Sequence, residues 1–161
     1  MMSPIADPAH WRQLHAAVIA EEDSLTFAQF THAHAWMLGS AMASMASAKG
    51  LPVAIAINFG EQRVFHAALA GTSAANDDWL ARKIRAVAKH NCSSWALACL
   101  YRAKQVDYFG EGGYSRSDIA LAGGAVPLRI AGSLMGAVGV SGLAEEDDHR
   151  FAIDALQAFL A

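Results

Sequence analysis

Two stretches of strand-like alternation, each turning back through a glycine, constrain this chain more than any other feature. In the first, Leu51-Pro52-Val53-Ala54-Ile55-Ala56-Ile57 sets large apolar residues against alanine with period two, the side-chain period of a strand. Residues 58–61 contain Gly60 and make a hairpin turn. Residues 62–69 then return with Arg63, Phe65, Ala67 and Leu69 on one face and Val64, His66 and Ala68 on the other. Residues 125–131 and 134–141, joined at Gly132-Ser133, repeat the arrangement. Val126, Leu128 and Ile130 alternate there with Pro127 and Arg129, and Leu134, Gly136, Val138 and Val140 with Met135, Ala137, Gly139 and Ser141. Two hairpins of this kind imply a mostly antiparallel sheet.

The remaining sequence is largely helical in period. Residues 8–23 place Pro8 near a helix start and Trp11, Leu14, Val18 and Ile19 on its face. Thr31 suits the N-cap of a helix over 32–48, which ends at Lys49-Gly50. Asn76, Asp77 and Asp78 fit the start of a helix running to about His90, with Leu80, Ile84 and Val87 in one stripe and Asp78, Arg82, Arg85 and Lys89 opposite. Ser93-Ser94 open another to about Lys104, and 105–122 form a glycine-rich covering loop. The acidic run 145–148 starts a last helix that buries Ala152, Leu156 and Phe159 or Leu160. Leu25, Phe27 and Phe30 suggest a short strand over 24–30. The predicted order is therefore α-β-α-β-β-α-α-β-β-α, a single α+β domain over 1–161 with a five-stranded, mostly antiparallel sheet and helices packed on it.

Charge excludes some classes of partner. The 12 basic and 15 acidic residues leave a net charge of −3 without any block of like sign, so neither nucleic acid nor a membrane surface is expected as partner. Only 17% of residues are charged while 54% are hydrophobic, which leaves little polar surface for a monomer and predicts self-association as a homodimer or higher oligomer. The first residues carry no leader pattern, no apolar run approaches the ~20 residues of a membrane helix, and Cys92 and Cys99 read as unpaired thiols. A cytoplasmic protein is expected.

The candidate chemistry centres on Asn76-Asp77-Asp78-Trp79 and the following Arg82-Lys83. Trp79 and Lys83 stand at i and i+4, where an indole and an ammonium line a pocket or a lysine stem lies on an aromatic face. His66 reads as a buried imidazole bonded to a backbone group, or as a ligand. His149 follows Asp148, but adjacent helical residues do not face each other, so capping explains Asp148 more simply. His34 fits the N3 position reaching back to Thr31. Gly123-Gly124 let backbone amides approach an anion, or form a bulge or tight turn. No hydrolase triad, phosphate loop or metal-ligand pair appears at a diagnostic spacing, and no metal is expected.

Val64-Phe65-His66-Ala67-Ala68-Leu69-Ala70-Gly71-Thr72, Asn76-Asp77-Asp78-Trp79 with Arg82-Lys83, Gly123-Gly124-Ala125-Val126-Pro127, and Ser141-Gly142-Leu143 with Asp148-His149 together resemble the small uncharacterised branch of the haem-degrading-domain superfamily, the HbpS/GlcG-like proteins. The resemblance covers about residues 24–161. It implies a profilin-like α/β sandwich, an oligomer, and a site among His66, Asn76, Asp77, Asp78, Trp79, Arg82, Lys83, Gly123, Gly124, Ser141, Asp148 and His149. The implied ligand is a haem-like tetrapyrrole or another small anionic molecule. Two other functions are implied as alternatives: a redox or haem-degrading enzyme using His66 or His149, and an assembly or adaptor protein without a ligand. The chain departs from the family pattern where Thr31 and His34 replace acidic residues, where Ala70 replaces a proline, and where Val126 replaces a phenylalanine. A site needing those two carboxylates would be altered here.

Overall fold

The computed structural model describes residues 7–161, and the expectation about a leader pattern falls on residues outside them. Five helices are present among these residues: α1 (Pro8–Asp23), α2 (His32–Ala48), α3 (Ala74–His90), α4 (Ser94–Lys104) and α5 (Glu145–Leu160). Four strands, β1 (Ala54–Phe59), β2 (Gln62–Ala68), β3 (Ala125–Ile130) and β4 (Ser133–Ser141), form one antiparallel sheet in the order β2-β1-β4-β3.

The expected fifth strand does not form, so the sheet has four strands and the element order is α-α-β-β-α-α-β-β-α among the described residues. Residues 24–30 instead make a single parallel bridge, Phe27 to Ile130 on the β3 edge. Phe27 donates to the Arg129 carbonyl at 3.0 Å and accepts from Ala131 at 2.8 Å. Leu25, Phe27 and Phe30 are buried in the main core. Their spacing therefore records a connector plugged into the core at three points, not a ladder of backbone bonds.

The alternation in β1 explains the layering. Ile55 and Ile57, with Val126, Leu128, Val138 and Val140, face α2 and α5 and build the main core with Leu38, Met42 and Leu156. The alanine face, Ala54, Ala56, Ala125 and Ala137, receives Leu80, Ile84 and Val87 of α3. Small residues let α3 lie close to the sheet: a side chain at Gly139 would come within 3.1 Å of Leu80. Helices α1 and α4 pack against each other beside this sandwich, with Trp11 edge-on to Trp95.

Helix starts follow the caps. Thr31 and His34 form a reciprocal capping box: the His34 amide donates to Thr31 Oγ1 at 3.3 Å and the Thr31 amide to His34 Nδ1 at 2.9 Å. The two departures from the acidic pattern thus serve the start of α2.

Candidate functional site

Helix α3 starts at Ala74, earlier than the Asn-Asp-Asp run suggests, because Ser73 caps it. The Ser73 amide donates to Asn76 Oδ1 at 2.9 Å, which makes Asn76 the N3 partner of a capping box and leaves its amide nitrogen uncommitted to the cap. Asn76, Trp79 and Lys83 then stand at i, i+3 and i+7, on one line of the helix. They line an open cavity of about 280 Å³, lined on its other sides by Ala122, by Ser141 at the end of β4 with Gly142 and Leu143 after it, and by Glu145 and Asp148 of α5.

The base of this cavity is an ion pair out of contact with bulk water. Lys83 Nζ donates to Asp148 Oδ2 at 3.0 Å and to the Val140 carbonyl at 3.1 Å. Lys83 is 3% exposed and Asp148 1%. Asp148 also accepts from the amides of Leu143, at 2.9 Å, and Gly142, at 3.3 Å. An ammonium has three N–H groups, so these two acceptors leave one without a partner among the described residues. Burial pushes the Lys83 pKa down, against the pull of Asp148. It pushes the Asp148 pKa up, opposed by Lys83 and the two amides.

Gly123 and Gly124 do not line the cavity; they make room for it. Gly124 has φ +140°, and a side chain there would come within 2.7 Å of Lys83 Nζ; one at Gly123 would collide with the Glu145 carbonyl oxygen. Their contribution here is close approach of backbone. The start of α5 lies at the cavity wall with no side-chain cap on Ala144, so the positive end of the helix meets the same space as the Glu145 and Asp148 carboxylates.

The remaining sequence-predicted residues lie elsewhere. Arg82, not Lys83, covers the Trp79 ring, at 4.1 Å, while also pairing with Asp78 at 2.9 Å. A single helical turn offered Trp79 both cations, and the inward pull of Asp148 removed Lys83 from the choice. His66 is exposed instead of buried, because β2 is a sheet edge; its Nε2 lies 2.6 Å from Asp77 Oδ1. His149 is buried, and neither ring nitrogen has a partner among the described residues. It makes no pair with Asp148, whose oxygens are taken by Lys83, Gly142 and Leu143.

Asn76, Trp79, Lys83, Ser141 and Asp148 thus line one cavity, whereas His66, Asp77, Asp78, Arg82 and His149 do not, although Arg82 lies over Trp79. Sequence reasoning did not name Ala122, Gly142, Leu143 or Glu145 as site residues. The signal for Glu145 was an acidic helix start with no side-chain cap before it.

Comparison with other proteins bears on this arrangement. A family model described as haem degrading protein HbpS-like matches residues 30–157. The chain is 38% identical over 141 residues to a UPF0303 protein of Streptomyces coelicolor, covering 87% of this chain and 89% of that one. It is 36% identical over 146 residues to a UPF0303 protein of Edwardsiella ictaluri, covering 90% and 93%. Among solved structures, that of the Ybr137w protein superposes with a TM-score of 0.83 at 24% identity, covering 90% of this chain and 86% of the other. A heme complex of PduOC superposes with a TM-score of 0.67 at 19% identity, covering 83% and 95%. These solved structures share the fold.

Proposed function

Because the chain belongs to the HbpS-like haem-degrading-domain family, with UPF0303 proteins among its relatives, we propose that it is a binding domain for a small anionic molecule held in the cavity above Lys83. The observation that carries this reading is the buried Lys83 ammonium, with two acceptors for its three N–H groups, lining a cavity that is also lined by Asn76 and by the uncapped start of α5. A cation and a helix N-terminus converging on one space attract a carboxylate or phosphate.

The residues fit haem poorly. No histidine lines the cavity, and about 280 Å³ falls below the ~300–1,000 Å³ typical of enclosed sites for drug-sized ligands. His66 has its Nε2 committed to Asp77, and His149 is buried away from the cavity lining. A haem reading would have to rest on His66 at the exposed sheet edge.

Calorimetry with succinate, a small dicarboxylate, tests the anion reading. Saturable binding to the native protein is expected, with loss in the Lys83→Met/Asp148→Leu double variant, which exchanges the pair for apolar groups of similar size. A haemin titration followed by absorbance tests the other reading. A spectrum that does not saturate and is unchanged in His66→Ala is expected; a saturable Soret shift lost in that variant would overturn the preference for a small anion.

Self-association belongs to the same proposal. It is supported by α2, which carries no charged side chain over its 17 residues and exposes Trp36, Met37 and Met45. A cytoplasmic location accords with Cys92 and Cys99 being free thiols, both pushed up to about 12 by burial. No helix of the described residues is long and apolar enough to cross a membrane.

A further inference from the structure

Lys49, Lys89 and Lys104 are exposed, whereas Lys83 is buried with its amine at the base of a cavity. A lysine is among the most expensive side chains to bury, and an ion pair in the interior contributes little stability that apolar residues of the same volume would not. The surroundings nevertheless place a proton acceptor and little bulk around this amine. Gly124 is kept free of a side chain beside Nζ, the Asp148 carboxylate stands 3.0 Å from it, and the Ser141 residue lines the same space.

We propose that Lys83 captures an aldehyde that also bears a carboxylate, forming an imine with it. The inference rests on the anion-site reading of the same cavity, and it names the chemical class of the ligand. Asp148 Oδ2 takes a proton from the ammonium and so frees the nitrogen lone pair. The Nζ–carbon bond forms as the carbonyl π bond opens, and the carbonyl oxygen takes up a proton. The first proton on that oxygen comes from the nitrogen, which then keeps one hydrogen; the hydroxyl accepts the proton held by Asp148 and departs as water, and the remaining N–H proton returns to Asp148 as the neutral imine forms. Amine and aldehyde give imine and water, so no oxidant, reductant or further reactant is consumed. Asp148 is suited to carry the proton both ways, because it lies within hydrogen-bond distance of the reacting nitrogen and has two backbone amides to hold its orientation. Burial lowers the proton affinity of Lys83, which favours the neutral amine that attacks. The aldehyde's carboxylate is left to Asn76 and to the uncapped start of α5, which line the same space.

The test uses the unaltered protein. Succinic semialdehyde is added, sodium borohydride reduces any imine to a stable secondary amine, and the modified lysine is located by peptide mass spectrometry. Lys83 is expected as the dominant site, and an excess of succinate, which has no aldehyde, is expected to suppress its labelling while sparing any on Lys49, Lys89 and Lys104. Labelling spread over the exposed lysines with Lys83 unmodified would overturn the imine. Calorimetry with succinate on the same sample separates the two readings. Succinate binding without a Lys83 adduct removes the imine and leaves the anion site; a Lys83 adduct without succinate binding or protection removes the anion site and leaves a reactive amine. Failure of both removes both.

Discussion

Lys83 and Asp148 are tolerable in the interior only as a pair. Removing one partner strands the other charge, which costs about 3–5 kcal/mol, whereas replacing both with apolar residues is often close to neutral. Urea unfolding should show Asp148→Asn strongly destabilised and Lys83→Met/Asp148→Leu recovering most of the loss. Equal loss in the single and double variants would mean that packing, not charge, governs the site. His149 obeys the same arithmetic with the sign worked out for a base. Burial holds its pKa at about 4, below the ordinary 6.5, with Arg150 adding to the effect and Glu21 opposing it. The unfolded chain therefore binds its proton first. The stability His149 contributes is full above pH 6.5 and is lost as the pH falls towards 4. Urea midpoints should drop between pH 7 and pH 5, and His149→Gln should flatten that slope. At this scale the sequence pointed to Lys83 and Trp79 but not to the partner of the lysine. Asp148 is 65 residues away, and no periodicity within α3 encodes it.

At the scale of elements, legibility followed local signals. The bounds of α1, α2 and α4 were readable because Pro8, Thr31 and Ser93 are strong start residues and the apolar period continues behind each. Residues 24–30 were not, because three buried side chains at spacings of two and three look alike whether the backbone between them pairs or merely crosses an edge. The start of α3 was displaced for a related reason: Asn76 is a good cap in isolation, but Ser73 three residues earlier uses it as a partner. Packing between elements was hidden as well. Gly39 of α2 lies against the Phe65 ring of β2, and a methyl group at Gly39 would collide with it. Overpacking of this kind costs about 1–3 kcal/mol, so Gly39→Ala should lower the thermal midpoint despite the better helix propensity of alanine. A raised midpoint would show that Phe65 yields without strain.

For the whole molecule, the uncharged outer face of α2 adjoins the open edge of β2, so one side of the sandwich presents apolar side chains beside unpaired backbone. Sedimentation analysis should find the protein as an oligomer at micromolar concentration, with Trp36→Glu shifting it towards monomer. A native protein that stays monomeric would remove the proposal of self-association. The composition bears on this surface, since low charge leaves little polar area for a monomer, although it did not say which helix would expose apolar side chains.

The cavity walls come from α3, from the end of β4 and from the start of α5, segments that meet only when the chain has completed its last hairpin and docked its last helix. Occupancy is consequently linked to the folding equilibrium of the entire domain. A ligand that binds only the native state, present at a hundred times its Kd, adds about 2.7 kcal/mol of stability. The melting temperature thereby becomes an assay that needs no prior idea of the reaction: small aldehydes, carboxylates and phosphates can be ranked by how far each displaces it.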